Sequence, residues 1–318
     1  MPVRYDNHVI LGAGGAISRA LLPELVKTGE QITVVSRSGA SMAGAESRAA
    51  DALDYDSLSA VVPEGSVVYL LIGLDYNAKV WQELWPPLME NVIRVCADRG
   101  ALLVFLDNVY MYGPVGGPMT EDTPHRPMSE KGRVRAAIAE TLMSSVEKGS
   151  LRALIARSAD FYGPGAEKSG IPNSLVVDGL IKKGKAQWFA DVDRKHSLTY
   201  TSDCGRALPY LVADEDAYNQ VWHLPTASPP LTMREFTSIA ARVLDIEPKL
   251  GTYSRAMLKF VGLFNPTVRE LPEMLYQYDR DYLFDSSKFE KRYDFHPTPY
   301  DQAIRETVMY QRGLPARN

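Results

Sequence analysis

"HVILGAGGAISRALLPELV", residues 8–26, decides the fold. A short apolar run breaks at three glycines, Gly12, Gly14 and Gly15, and gives way at once to a segment with apolar residues at helical spacing. Glycine belongs where a chain must turn sharply and where backbone N–H groups approach a phosphate at a helix N-terminus. Three glycines in a loop are weak evidence alone; set between a strand and a helix, they predict a dinucleotide-binding turn. The groups that would face the pyrophosphate are Gly12, Gly14 and Gly15, with Ala16 and Ile17 opening the helix.

Outward from that turn, apolar runs alternate with amphipathic segments, the pattern of βαβ units and a parallel sheet. Strands are predicted at 8–12, 31–36, 66–72, 101–107 and 152–157, and helices at roughly 16–28, 80–99 and 130–148. In the last helix Val134, Ile138 and Leu142 recur on one face. Beyond about residue 165 proline, glycine and aromatic residues become frequent, and only "LTMREFTSIAARVL" reads clearly as helix, with Thr232 and Glu235 forming a capping box. The predicted organisation is a dinucleotide-binding domain over 1–168, completed by about 194–225. A smaller substrate lobe, interleaved with it, takes 169–193 and 226–318.

Bulk properties narrow the function classes. The 318 residues are 45% hydrophobic and 23% charged with a net charge of −4, which removes the electrostatic case for nucleic-acid binding. No apolar run reaches the ~18–20 residues of a membrane helix. Cys96 and Cys204 suggest no disulfide framework, and the five histidines show no zinc spacing. With no signal peptide legible at the N-terminus, a soluble, cytoplasmic, metal-free protein is expected, with a small-molecule substrate as its partner.

The end of the second strand separates the two nicotinamide dinucleotides. An NAD site carries an acid there to accept from the ribose 2′-OH. This chain has Ser36, Arg37 and Ser38, and a guanidinium flanked by hydroxyls suits a 2′-phosphate. NADP is therefore the expected cofactor, with NAD as the alternative.

With these residues in place, the chain resembles the extended short-chain dehydrogenase/reductase superfamily, in its epimerase/dehydratase-like branch. "GAGGAIS" is similar to the GxxGxxG turn, with Ser18 at the third glycine; looser helix–strand packing is expected there. "DALDYDSL" resembles the acidic segment that would set Asp51 and Ala52 beside the adenine. "LLIG" resembles the strand end that would line the ribose side with Leu71, Ile72 and Gly73. "MYGP…MTEDTPHRP", "RSADFYGPG" and "HSLTYTSDCGRAL" match further family segments in order, the second placing Ser158 beside the nicotinamide and the third making Asp203 an N-cap. The resemblance implies a doubly wound parallel Rossmann sheet with a smaller C-terminal lobe, and it allows a homodimer paired through two helices.

The departures fall on the catalytic positions. Where the resemblance implies a serine, a tyrosine and a lysine, the chain has Asn108, Lys131 and Arg135, and Asp160 stands at the asparagine of R-P-x-N. "KGRVR" also resembles the helix of isoflavone reductase-like and phenylcoumaran benzylic ether reductase proteins, in which a lysine is the acid/base and NADPH the donor. Lys131 could carry a proton only with a lowered proton affinity; desolvation and the Arg135 cation four residues on would both act that way. The bland alternative is a solvated basic first turn, although cations there oppose the helix dipole. Tyr110 is a displaced phenol candidate, and Asn108 an orienting group. Asp160 is either a base or a strand-end carboxylate satisfied by backbone N–H groups, and Tyr162 reads as a packing residue. Tyr276, Gln277 and Tyr278 are candidates for the substrate pocket, though helix packing explains them as well. Three functions follow: an NADP(H)-dependent oxidoreductase, an epimerase or dehydratase cycling hydride internally, or a non-catalytic dinucleotide sensor.

Overall fold

The computed structural model describes residues 4–264 and 266–314. Seven strands form one parallel sheet: β1 (Asn7–Leu11), β2 (Gln31–Ser36), β3 (Glu46–Ala49), β4 (Val67–Leu70), β5 (Leu102–Asp107), β6 (Arg152–Arg157) and β7 (Val221–His223). Their order across the sheet is β7-β6-β5-β4-β1-β2-β3, and every neighbouring pair is parallel. The chain thus winds outward in one direction from β1 and in the other from β4, leaving a crevice between them at the strands' carboxyl ends.

Both sheet faces are buried, and side-chain alternation divides them. Val9 and Leu11 of β1, with Leu103 and Phe105 of β5, face one cluster with α2 (Tyr55–Ser59), α3 (Ala78–Asp98) and α4 (Glu130–Glu147). Ile10, Val104 and Leu154 face the other, against α1 (Ala16–Val26) and the helix Thr201–Val212. Pro86 and Pro87 lie inside α3, where each removes a helical donor. The buried Trp81, Trp85, Leu88, Met89 and Val92 hold that helix on the sheet regardless.

Helix α1 and the helix 201–212 meet closely: a Cβ on Gly205 would come within 2.3 Å of the Ala20 carbonyl oxygen. At the position of the third glycine, Ser18 is fully buried, and its hydroxyl donates to the Gly15 carbonyl at 2.8 Å. Asp203 is not the cap of its helix. Tyr200 is, and Asp203 sits in the first turn, accepting from the Thr298 amide at 2.7 Å.

A separate core, with Tyr162, Trp188, Phe236 and Ile304 at its centre, belongs to the second lobe. Tyr162 is fully buried there between Tyr200, Phe236 and Tyr300. The helix Met233–Leu244 begins with the expected capping box of Thr232 and Glu235. Phe289 and Phe295, from the chain's end, pack instead on the sheet side with Trp222. No helix among the described residues is long and apolar enough to cross a membrane.

Candidate active site

A cleft runs along the carboxyl edge of the sheet in two joined parts. The first, of about 360 Å³, lies over the ends of β1 and β2 and is lined by Gly12, Gly15, Ser36, Arg37, Asp51 and Ala52. The second, of about 280 Å³, is lined by Ala16, Ile17, Asn108, Tyr110, Arg135 and Ser158. Gly15, Leu71, Ile72 and Gly73 border both. Two of the residues named for the cofactor stand outside these walls, as does Lys131: the Gly14 amide points to the Met42 sulfur at 3.3 Å, and Ser38 is exposed beside Ser36.

The walls fit a dinucleotide. Gly12 has φ +110°, and a Cβ there would stand 2.8 Å from the Leu71 carbonyl, so the turn admits only glycine. Leu53, Leu58, Leu84 and Leu88 form an apolar slot beyond Ala52, of the kind an adenine fills. Arg37 is exposed at the end of β2.

The cations of α4 are placed differently from the sequence expectation. Lys131 and Arg135 do not act as a pair, because each is drawn to its own carboxylates. The Lys131 side chain is wholly buried; its ammonium lies 2.6 Å from Glu270 Oε2 and also binds Glu273. The Tyr76 ring covers it at 4.5 Å. Glu270 accepts from the Ala78 amide at 2.8 Å as well, and Glu273 from the Glu130 amide at 2.9 Å, so this acidic pair joins the first turns of α3 and α4. The charges touching Lys131 are therefore acids, not a guanidinium.

Arg135 donates through Nε to Asp107 Oδ1 at 2.6 Å and lies over the Trp85 ring at 4.5 Å. Asp107 is buried at the end of β5 and has a second cation nearby, with Arg157 Nε at 3.5 Å. Arg157 donates to the Tyr112 hydroxyl at 2.8 Å, and that hydroxyl lies 2.8 Å from His223 Nε2. Burial presses the His223 ring down to about pH 3 for protonation, so it is neutral in the fold. A chain unfolded at pH 5 binds a proton there that the folded chain does not. Stability is therefore full above about pH 6.5 and falls as the pH drops towards 3, by about 2 kcal/mol from this group at pH 5. Urea denaturation at pH 7 and 5 checks this: the loss should shrink in His223→Gln, and an unchanged loss would remove His223 as its source.

Tyr110 stacks on Trp81 with ring centroids 6.2 Å apart. Burial, then the charge of Asp160, pushes its phenol well above the ordinary range, keeping it protonated. The Asn108 side chain accepts from the Tyr110 amide at 3.0 Å, which fixes the turn. The Ser158 amide donates to the Asp107 carbonyl at 3.0 Å. Asp160 is held by side chains, not backbone: Tyr278 donates to it at 3.2 Å and His196 Nε2 lies 3.0 Å away. Tyr276 reaches the Tyr110 carbonyl at 3.5 Å, and Gln277 is buried.

Sequence reasoning missed Glu270 and Glu273, whose partner Lys131 lies about 140 positions earlier, with nothing local to mark them. It also missed Asp107, although an acid closing the apolar run "LLVFLD" was a visible signal.

Known proteins share this fold. A relative from Streptomyces kanamyceticus, 2'-dehydrokanamycin reductase, is 30% identical over 157 residues, which are 45% of this chain and 41% of that protein. A Thermus thermophilus UDP-glucose 4-epimerase in complex with NAD superposes with a TM-score of 0.78 at 17% identity, over 96% of this chain and 99% of that one. A double mutant of a Streptomyces venezuelae dTDP-glucose 4,6-dehydratase, with NAD bound, gives 0.77 at 18% identity over 96% of each chain. The profile of the NAD dependent epimerase/dehydratase family matches residues 8–222. With a match over well more than half its length, this chain belongs to the NAD dependent epimerase/dehydratase family.

Proposed function

We propose that the protein is an NADP(H)-dependent oxidoreductase acting on a carbonyl or hydroxyl group of a small organic substrate. The observation that carries the cofactor choice is Arg37 at the end of β2, on the cleft wall, where an acid would favour NAD. When bound, the dinucleotide supplies or accepts the hydride. Gly12, Gly15, Ala16 and Ile17 would cradle its pyrophosphate; Asp51 and Ala52 would border the adenine, and Ser158 the nicotinamide.

The proton comes from Tyr110. Its side chain borders the same part of the cleft as Asn108, whose amide orients the substrate oxygen. Arg135, anchored by Asp107, keeps a positive charge on the cleft floor. Lys131, the sequence's first candidate for this role, is assigned instead to fastening the segment around Glu270 and Glu273.

The test has two parts. Affinities for NADPH and NADH are measured with the full chain, and aldehydes and ketones are screened for NADPH oxidation. Arg37→Ala should weaken NADPH about 10-fold or more and leave NADH unchanged, as expected for a lost charge-assisted contact. An unaltered preference would remove the NADP assignment. Tight binding without turnover of any carbonyl would favour a sensor. Dinucleotide that copurifies and stays bound, without net oxidation, would favour internal hydride cycling.

A further inference from the structure

Asp160 begins the short strand Asp160–Tyr162 and lines the same part of the cleft as Asn108 and Tyr110. Its side chain is about nine-tenths buried. Its partners are a phenol and an imidazole, Tyr278 and His196, so no lysine or arginine is paired with it among the described residues. The cation on the same wall, Arg135, is committed to Asp107, and Lys131 is committed to Glu270 and Glu273. An ionised carboxylate has about four acceptor positions, and these two partners occupy two of them.

The surroundings of Asp160 are aromatic. Tyr76, Trp81 and Tyr110 line the cleft beside it. His196 is stacked between Tyr278 at 5.3 Å and Tyr282 at 4.4 Å, with Trp188 edge-on at 5.6 Å, which fixes the imidazole against the carboxylate. Burial raises the phenols of Tyr76, Tyr110, Tyr276, Tyr278 and Tyr282, and the Asp160 charge adds to each, so all five lie within its field.

A carboxylate with no lysine or arginine partner among the described residues, set among ring faces, is a complement for an ammonium group: the carboxylate takes its hydrogen bond and the rings attract its charge. We propose that the cleft binds substrates carrying a protonated amine, seated against Asp160 beside Tyr76, Trp81 and Tyr110. This rests on the oxidoreductase reading for the identity of the cleft, but not on the choice between NADP and NAD. The same carboxylate repels a substrate phosphate brought to this end of the cleft.

The test measures binding to the full chain preloaded with whichever dinucleotide binds, so that a failure of the NADP assignment appears separately, as a cofactor preference. Glucosamine is compared with glucose, and cyclohexylamine with cyclohexanol, by calorimetric or NMR titration, with UDP-glucose as the anionic probe. Each amine should bind at least about 10-fold more tightly than its alcohol counterpart. Asp160→Asn should abolish that difference while dinucleotide affinity stays unchanged. Equal binding of amine and alcohol by the unaltered protein overturns the proposal without any variant. So does a preference that survives in Asp160→Asn, or UDP-glucose binding more tightly than both amines.

Discussion

Replacing Tyr110 with phenylalanine is expected to lower kcat by about 10²- to 10⁴-fold, the range over which a positioned proton donor contributes. Dinucleotide affinity should be largely kept, because the change leaves the glycine turn, Arg37 and the apolar slot beside Ala52 untouched. The ring's stacking on Trp81 needs no hydroxyl, so the fold should persist as well. Lys131→Met gives the contrasting result. It leaves the half-buried Glu270 and Glu273 without their cation, so it should loosen the segment between them and lower stability. Rapid-quench measurement of the hydride step, at a temperature where both variants are folded, distinguishes the two. A step lost in Lys131→Met and kept in Tyr110→Phe would return the proton to the lysine.

Asp107→Ala should destabilise the protein by about 3–5 kcal/mol, the cost of stranding a buried charge. Asp107 is the carboxylate that meets both Arg135 and Arg157, and both side chains are almost wholly buried. Without it, Arg135 keeps the Leu106 carbonyl at 3.4 Å and the faces of Trp85 and Phe105. Asp107→Asn, which retains an acceptor of the same size, should fall between. Urea denaturation with an unchanged m-value reads the difference, and a loss below about 1 kcal/mol for the alanine variant would show that water or relaxation satisfies both cations.

The sheet was legible because burial of both faces leaves continuous apolar runs, as in "VVYLLI" and "LLVFLD". β3 was missed for the converse reason: at the edge, "ESRA" is largely exposed and carries no apolar signal. β7 was missed because three residues are too few to show a period. The glycine turn is a local feature, so Gly12 and Gly15 could be read from their neighbours alone. The fate of Lys131 was not local. Spacing on α4 put Arg135 one turn beyond it, but which charges meet it depends on a loop from the far end of the chain. Asp160 presents the same lesson: its backbone position was visible, while His196 and Tyr278 arrive from two other segments.

The clamp on Lys131 also restricts where the sequence can go. A single change to tyrosine at 131, which would match the family pattern, removes the ammonium that Glu270 and Glu273 share and sets a phenol between two carboxylates. Both acids would have to be replaced as well, one of them also the acceptor for the opening of α3. Each intermediate along that route carries an uncompensated, partly buried charge, so the three positions are expected to vary together.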